Sequence, residues 1–327
     1  MDFSAFTSVP IIDSHVHFVH PEKMDEILAL MDVVSCNRAN LVCIPNRDAT
    51  THNPAALYFK EHCPERVYIS GALDYLPLLP DFASGPSILA EQVRALKRRG
   101  FDGLKLIEGK PEVRKLLPYP LDGPVYAGMW AALEQELFPV VFHVADPDEF
   151  WDPEHCPGWA RESGWDYSDG SHPSKEALYA EVDQILLRHP ELKIIFAHFY
   201  FLSGDLERAA RFLDNHPNVY FDLAPHIGMY WDFSKQPHEV RDFFIRYQDR
   251  ILYGTDMDTR VLVRSGNGGR WILSITWLIR SFLEKEGEFA TPDGTNYQGI
   301  GLPRDVLEKI YHANFERIYG ALPAALK

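Results

Sequence analysis

Two histidines separated by one residue, His15 and His17, end a short apolar run at residues 10–18. If this run is a β-strand, alternate side chains share a face, so both imidazoles point the same way and can bind one metal ion. On a helix, the same spacing would place them on nearly opposite sides. Imidazole is a common ligand of zinc and neighbouring transition metals, and a catalytic site needs about three protein ligands and an open position for water. The pair therefore predicts part of a metal site, with an ordinary pair of histidines at a strand end as the alternative.

Three more polar residues follow predicted strands further along the chain. His143 follows the apolar run VVF, His198 follows IIFA, and Asp256 follows ILYGT. An unpaired imidazole or carboxylate beside a buried strand is costly. A hydrogen-bonded core histidine is the alternative for His143 or His198 alone, but the recurrence of such residues at strand ends indicates one shared site.

Strands and helices alternate along the chain. The predicted strands are residues 10–18, 40–44, 66–73, 103–107, 139–144, 192–197, 218–223 and 251–254, and the predicted helices are 21–35, 54–62, 88–99, 124–137, 174–188, 206–215, 237–247, 271–285 and 304–319. Several strands are apolar almost throughout, as a sheet covered on both faces requires. The pattern predicts an α/β fold, a (β/α)8 TIM barrel forming a single domain over residues 1–327.

A doubly wound open sheet is the main alternative to the barrel, but no Gly-x-Gly-x-x-Gly follows the first strand. In a TIM barrel the active site lies at the C-terminal ends of the strands, where the histidines and Asp256 fall.

Composition excludes several classes of protein. The 327 residues are 46% hydrophobic, which is enough for a sizeable core, and 32 basic against 47 acidic residues give a net charge of −15. This charge argues against nucleic acid or an anionic membrane surface as a partner.

The four cysteines show no paired short spacing, so neither a disulfide framework nor a thiolate zinc site is predicted. No signal-peptide pattern and no apolar run of about 18 residues occur, so we expect a cytoplasmic protein that acts on a small molecule. Homo-oligomerisation is left open.

As a set, the motifs resemble those of the metal-dependent amidohydrolase superfamily. The resemblance is carried by IDSHVHF, by the single histidines after strands five and six, by LYGTD and by HANFERIYG, and it covers residues 11–320. More narrowly, the chain resembles the amidohydrolase-related branch that includes aminocarboxymuconate semialdehyde decarboxylase, resorcylate-type decarboxylases and lactonases. The resemblance implies a TIM barrel with one divalent ion at its C-terminal mouth, most often zinc, with manganese as the alternative.

The resemblance also implies roles for individual residues. His15, His17, His143 and Asp256 match the metal ligands, and His198 matches the histidine that orients or deprotonates the attacking water or polarises the scissile carbonyl. A divalent ion held by imidazoles lowers the pKa of bound water and polarises a substrate oxygen. Asp256 could also accept the proton of that water, so His198 and Asp256 are the candidate catalytic residues.

Lys105 ends the fourth predicted strand, where binuclear relatives carry a carboxylated lysine that bridges two metals. The branch that the chain resembles generally uses one metal. We interpret Lys105 as a cation for a substrate carboxylate, with a structural ion pair and a second metal site as the alternatives.

Further substrate-binding candidates lie in the loops after the strands. Arg47 and Arg260 could bind an acidic substrate through two hydrogen bonds each, or could be solvated surface groups. The long segment 145–173 is rich in aromatic residues, among them Trp151, and we interpret it as a lid over the metal, with packing against the barrel rim or a second subunit as the alternative. His226 and Tyr230 follow the seventh strand and either face the mouth or pack within their loop.

These residues lead to one hypothesis and two alternatives. The hypothesis is a metal-dependent hydrolase that uses metal-activated water on a small lactone, ester or amide. The first alternative is a non-oxidative decarboxylase of an unsaturated or aromatic carboxylic acid, and the second is a catalytically silent, metal-stabilised binding protein. Two converging basic groups in the cavity would indicate a diacid substrate, whereas a neutral cavity would indicate an uncharged lactone or amide.

Overall fold

One parallel sheet forms the centre of the fold. The computed structural model describes residues 1–46, 50–264 and 266–322. Within these residues, nine parallel strands lie in the order β8-β7-β6-β5-β4-β3-β2-β1-β9. The strands are β1 Ile11–His17, β2 Cys36–Val42, β3 Val67–Gly71, β4 Gly103–Gly109, β5 Val140–Val144, β6 Ile194–Phe196, β7 Val219–Asp222, β8 Ile251–Leu252 and β9 Met257–Asp258. All eight predicted strands are present, with ends shifted by a few residues.

The sheet closes into a barrel where the last two strands meet the first. The backbone N–H of Ser14 in β1 donates to the carbonyl of Tyr253, which directly follows β8, at 3.0 Å. Further along β1, Val16 and His17 pair with β9. Together, β8 and β9 occupy the place of the eighth barrel strand, interrupted by residues 253–256. The fold is the predicted (β/α)8 TIM barrel.

The N-terminal end of the barrel is filled with side chains. A buried layer from seven strands is capped by two residues near the C-terminus of the chain: Ile12, Val42, Tyr68, Val141, Ile195, Tyr220, Leu252, Phe315 and Ile318. The rings of Tyr68 and Phe315 meet edge to face, with centroids 4.9 Å apart. Because this end is closed, a site that needs access to substrate must lie at the opposite, C-terminal end of the strands.

Helices cover the outer face of the barrel, which carries the larger apolar core. The α-helices are α1 Met24–Val33, α2 Asn53–His62, α3 Gly85–Arg98, α4 Pro111–Leu116, α5 Pro124–Gln135, α6 Gly158–Glu162, α7 Lys175–Arg188, α8 Leu206–Asn215, α9 Met229–Lys235, α10 Pro237–Arg246, α11 Arg260–Arg264, α12 Gly268–Glu284, α13 Arg304–Glu308 and α14 Asn314–Tyr319. No helix within the described residues is long and apolar enough to cross a lipid bilayer.

Several features differ from the sequence-based prediction, among them the unpredicted helices α4, α9 and α11 and the short strand β9. The single helix predicted for residues 304–319 is divided by a π-helical turn at Lys309–Ala313. The segment 145–173, for which no helix was predicted, contains α6. An antiparallel hairpin, β10 Glu286–Ala290 and β11 Asn296–Ile300, was not predicted. Its first strand carries charged, exposed side chains that conceal a strand pattern, although the intervening Pro-Asp-Gly sequence is a turn signal.

Candidate metal centre and active site

His15, His17 and Asp256 converge at the C-terminal mouth of the barrel. The two histidines lie on the same face of β1, and the Nε2 atoms of His15 and His17 are 3.3 Å and 3.2 Å from Oδ1 of Asp256. The potential ligand atoms of all three residues lie within 4.8 Å of one another. Two imidazoles and a carboxylate are a donor set of the kind that binds catalytic zinc. The chemistry and spacing of these residues fit a divalent metal ion.

Asp222, at the end of β7, holds His15 in place and was not predicted as a site residue. Its Oδ2 atom accepts a hydrogen bond from Nδ1 of His15 at 2.8 Å. Because a proton on Nδ1 leaves the lone pair on Nε2, this contact prepares His15 to bind a metal through Nε2. The other oxygen of Asp222 accepts from the backbone N–H of His198 at 2.7 Å. An acidic residue at the end of an apolar strand was the signal that could have identified Asp222.

Asp13, on β1, fixes the loop that carries Asp256. Its carboxylate accepts hydrogen bonds from the hydroxyl of Thr255 at 2.5 Å and from the backbone N–H of the same residue at 3.1 Å. Gly254 permits the loop that carries Asp256 to approach β1 closely, since a Cβ at this position would lie 2.9 Å from the Ser14 hydroxyl oxygen. Burial raises the pKa of Asp13 to about 7, against the hydrogen bonds that lower it. Asp13 therefore sets the distance between β1 and Asp256.

His198 lies beside the cluster, with its ring centroid 5.4 Å from that of His15. Its Nδ1 atom is 3.1 Å from the carbonyl oxygen of Ala224. Since a carbonyl only accepts, Nδ1 carries the proton and Nε2 is an acceptor. Burial lowers the pKa of His198 well below its usual value, and the neighbouring His143 lowers it further. A neutral imidazole in this position is able to accept a proton.

His143 is next to His198 but does not share the close group formed by His15, His17 and Asp256. Its ring centroid is 4.8 Å from that of His198. The Nε2 atom of His143 faces the carbonyl of Ala145 at 3.0 Å and the carboxylate of Asp146 at 3.2 Å. Nε2 is therefore the donor nitrogen, which leaves Nδ1 available as a ligand.

Lys105 is 2% exposed and points into the barrel. Its Nζ atom lies 3.1 Å from Nε2 of His15. Burial lowers the pKa of Lys105 to about 8, although the nearby carboxylates of Asp256 and Asp222 favour the charged form. Among the described residues, no carboxylate lies within ion-pair distance of Lys105. The lysine thus occupies the floor of the metal site, beside the His15 nitrogen expected to bind the metal.

The backbone takes up left-handed conformations at three places around the site. Ala145 after β5, His198 after β6 and Asp256 after β8 have φ values of 66°, 59° and 54°, and the left-handed turn at His198 continues through Phe201. Each non-glycine residue in this region costs about 1–2 kcal/mol relative to right-handed geometry. Such strain persists where surrounding contacts enforce it, and it concentrates at functional sites.

The predicted lid, residues 145–173, is attached to the barrel through Asp146. This buried carboxylate accepts hydrogen bonds from the Lys110 ammonium at 2.8 Å and from the Tyr167 hydroxyl at 2.6 Å. Trp151 packs its ring 5.0 Å from that of Tyr167 and donates from Nε1 to the carbonyl of Pro173. Trp151 therefore lies in the aromatic cluster of the lid.

The remaining substrate-binding candidates are held by contacts of their own. His226 stacks 4.9 Å from Phe201, and its Nε2 is 3.3 Å from the Ser203 hydroxyl. The Tyr230 hydroxyl donates to the carbonyl of Leu223 at 3.0 Å. Arg260 donates from Nε to Asp258 at 2.6 Å. Arg47 lies outside the described residues.

Comparisons with known proteins place the chain in a family. No curated protein matches the sequence. Solved structures that resemble the fold include three bacterial proteins. They are 2,6-dihydroxybenzoate decarboxylase from Rhizobium (17% identity, 95% of this chain and 98% of that chain, TM-score 0.57), manganese-complexed 5-carboxyvanillate decarboxylase from Novosphingobium aromaticivorans (14%, 94% and 95%, 0.55) and a putative 2-pyrone-4,6-dicarboxylic acid hydrolase from Pseudomonas putida (12%, 97% and 99%, 0.56).

These identities are low, so the three structures support the barrel fold alone. The family is shown by the sequence: residues 76–321 match the family profile described as Amidohydrolase. The chain belongs to the amidohydrolase family, within the metal-dependent superfamily that its motifs indicated.

Proposed function

We propose that the protein is a metal-dependent hydrolase of a small lactone, ester or amide. The observation that carries the proposal is the convergence of His15 and His17 on the carboxylate of Asp256, beside a neutral His198. In the proposed site these three residues and His143 hold one divalent ion, and zinc suits the mixture of imidazole and carboxylate donors. A divalent ion lowers the pKa of bound water and polarises a carbonyl oxygen.

The protein residues supply the proton transfers. Asp256 can accept a proton from the attacking water and deliver it to the leaving oxygen or nitrogen. His198 presents Nε2 as an acceptor because Nδ1 is bound to the Ala224 carbonyl. It can orient the water or take part in the same transfer. Water adds to the carbonyl carbon, the bond to the leaving group breaks, and the products are an acid and an alcohol or amine.

The cations of the site disfavour a diacid substrate. Of the basic candidates within the described residues, Lys105 contacts His15 at 3.1 Å and Arg260 is paired with Asp258. Two basic groups that converge on the cavity would be needed to bind a diacid in two places. Arg260 is already paired with Asp258, and the His15 nitrogen that contacts Lys105 is the one expected to bind the metal. Of these two cations only Lys105 would then be available for a substrate carboxylate, so we infer that the substrate is not a diacid.

Decarboxylation is the second candidate. Two of the three solved structures named above are decarboxylases, and one of these two is complexed with manganese. The same donor set could hold manganese and bind a substrate hydroxyl or carboxylate. In that case the carbon–carbon bond breaks, carbon dioxide leaves, and a proton replaces it.

The two reactions release different products, and one panel distinguishes them. The zinc- or manganese-loaded protein is incubated with lactones, esters and amides while acid release is titrated, and with carboxylated phenols and unsaturated acids while carbon dioxide is measured. Acid release that disappears in His17→Asn supports the hydrolase. Carbon dioxide release that disappears in His17→Asn supports the decarboxylase. If the protein binds the metal but releases neither acid nor carbon dioxide, the result would support the second alternative, a catalytically silent, metal-stabilised binding protein.

A further inference from the structure

An apolar chamber opens beside the candidate metal centre. It has a volume of about 840 Å³ and lies at the C-terminal ends of β2, β3 and β4, with α4 on its outer side. Its apolar walls include Ile44, Leu73, Leu76, Leu79, Ile107 and Leu116. Ligand pockets in proteins have volumes of roughly 300–1,000 Å³, so the chamber can hold a sizeable molecule.

The candidate ligands His15, His17 and Asp256 do not themselves line the chamber, but two lining residues, Ile107 and Arg260, connect it to the metal centre. Ile107 is two residues beyond Lys105 on β4, so both side chains point to the same face, into the mouth of the barrel. Arg260, which also lines the chamber, lies two residues after Asp258, the β9 residue that pairs with His17. A molecule in the chamber would therefore extend towards His15, His17 and Asp256.

Three leucines at the chamber are exposed to an unusual degree. Leu76, Leu79 and Leu116 are 54%, 60% and 66% exposed. Exposed apolar surface is unfavourable by about 25 cal/mol per Å², and a contiguous apolar patch usually marks a binding site. Scattered surface leucines need no such explanation, but these three line one cavity.

The charged groups of the chamber are few. Arg260 is paired with Asp258, and Glu112 accepts a hydrogen bond from the indole of Trp165 at 2.8 Å. Lys115 is exposed at the rim. Most of the remaining described lining is aliphatic, with polar side chains from Asn46, Tyr75, Ser163 and His172. Its chemistry favours an uncharged hydrocarbon and disfavours a compact diacid.

We propose that this chamber binds the non-reacting part of the substrate, an extended alkyl or arylalkyl group, while the ester, lactone or amide of the same molecule reaches the metal centre. The inference rests on the proposed function, since it concerns the substrate of the same site. Binding in the chamber contributes affinity through apolar surface, and the metal centre acts on the polar end.

Binding is tested without catalysis by displacing a fluorescent apolar dye. N-phenyl-1-naphthylamine is bound to the full-length protein and displaced by straight-chain alcohols from butanol to decanol. We expect each added methylene to tighten binding about threefold to fourfold, which is the increment of apolar transfer, until the chamber is full. Dye that does not bind, or alcohols whose affinity does not change with chain length, would overturn the proposal.

Substitutions locate the site. The combined variant Leu76→Gln, Leu79→Gln and Leu116→Gln should fold normally, because all three side chains are exposed, and should lose most of the dependence on chain length. Leu187→Gln is the matched control, since Leu187 is 69% exposed on α7, away from the chamber. An equal loss in both variants would contradict the assignment.

Two further measurements separate this proposal from its alternatives. His17→Asn should bind the dye and the alcohols as the wild type does but should not hydrolyse p-nitrophenyl esters. Dye binding by the metal-loaded wild type without hydrolysis of any of these esters would reject the proposed function and retain the chamber. Sedimentation velocity tests whether a second copy of the chain covers the leucines. A wild-type dimer that becomes a monomer in the combined glutamine variant would overturn the substrate assignment.

Discussion

Asp222 accepts a hydrogen bond from Nδ1 of His15 at 2.8 Å, and the same carboxylate accepts from the backbone N–H of His198 at 2.7 Å. One buried side chain at the end of β7 thus orients a candidate metal ligand from β1 and positions the candidate base after β6. The role of Asp222 can be tested by replacing it with asparagine, which has the same shape but no negative charge.

Asp222→Asn should weaken metal binding while retaining the fold. The amide keeps an oxygen for the N–H of His198, but it no longer places a negative charge beside Nδ1 of His15. Loss of such a contact typically reduces metal affinity by about 10–100-fold. Competition with a zinc chelator measures the affinity. Asp214→Asn, on the surface of α8, is the control, and equal affinities for the two variants would contradict the role given to Asp222.

His198→Asn should separate catalysis from metal binding. Because His198 is proposed to transfer protons and not to bind the metal, the variant should retain the metal and lose about 10²–10⁴-fold in turnover. His17→Asn should lose metal and activity together. The metal content of both purified variants is measured alongside their rates. A His198 variant without metal would show that this histidine is a ligand.

Tyr167→Phe should loosen the lid, because the Tyr167 hydroxyl ties the far end of the lid to Asp146, the lid residue that Lys110 holds to the barrel. The variant removes the hydroxyl that donates to the Asp146 carboxylate at 2.6 Å. Hydrogen bonds to charged groups contribute about 1.5–3 kcal/mol, so we expect a loss of that order in the free energy of unfolding, with faster protease cleavage within residues 145–173. Tyr58→Phe, which changes a partly exposed tyrosine on α2, is the control. Unchanged stability and cleavage in Tyr167→Phe would reject this attachment.

His52 should make the protein less stable in mild acid. Nε2 of His52 contacts the side-chain oxygen of Asn46 at 2.9 Å, and its buried Nδ1 has no hydrogen-bond partner among the residues that the structure describes. Burial lowers the pKa of His52 to about 4, below the value of about 6.5 in the unfolded chain. Protonation therefore favours the unfolded state, and the contribution of His52 to stability is lost as the pH falls from about 6.5 towards 4.

Denaturant unfolding of wild type and His52→Gln at pH 7 and pH 5 measures this effect. The free energy of unfolding of the wild type should fall by about 1–2 kcal/mol more than that of the variant over this interval. His62→Gln, at the exposed end of α2, should behave as the wild type does. Parallel pH profiles for wild type and His52→Gln would contradict the prediction.

The barrel and the position of its active end could be predicted because both depend on local patterns. Alternation along β1 places His15 and His17 on one face, and strand ends locate His143, His198 and Asp256. Asp222 and Asp13 were missed because their importance lies in contacts with residues distant in the sequence. The hairpin β10–β11 was missed because its exposed, charged first strand lacks an apolar pattern.

Other side chains could be located only by packing. The role of Lys105 as a cation for a substrate carboxylate stays a prediction, and the contact of its Nζ atom with His15 was not predicted. That contact depends on the register between β1 and β4, which are separated in the sheet by two other strands. The apolar chamber likewise combines residues from several loops and a short helix, so no single segment of the sequence predicts it.

The central claim is that His15, His17 and Asp256 bind one divalent ion, and anomalous diffraction tests it most directly. Crystals of the protein prepared with one equivalent of zinc would be measured above and below the zinc absorption edge. We predict a single peak about 2.0–2.2 Å from Nε2 of both histidines and from the Asp256 carboxylate. A zinc peak elsewhere, or no peak between these three residues, would contradict the account.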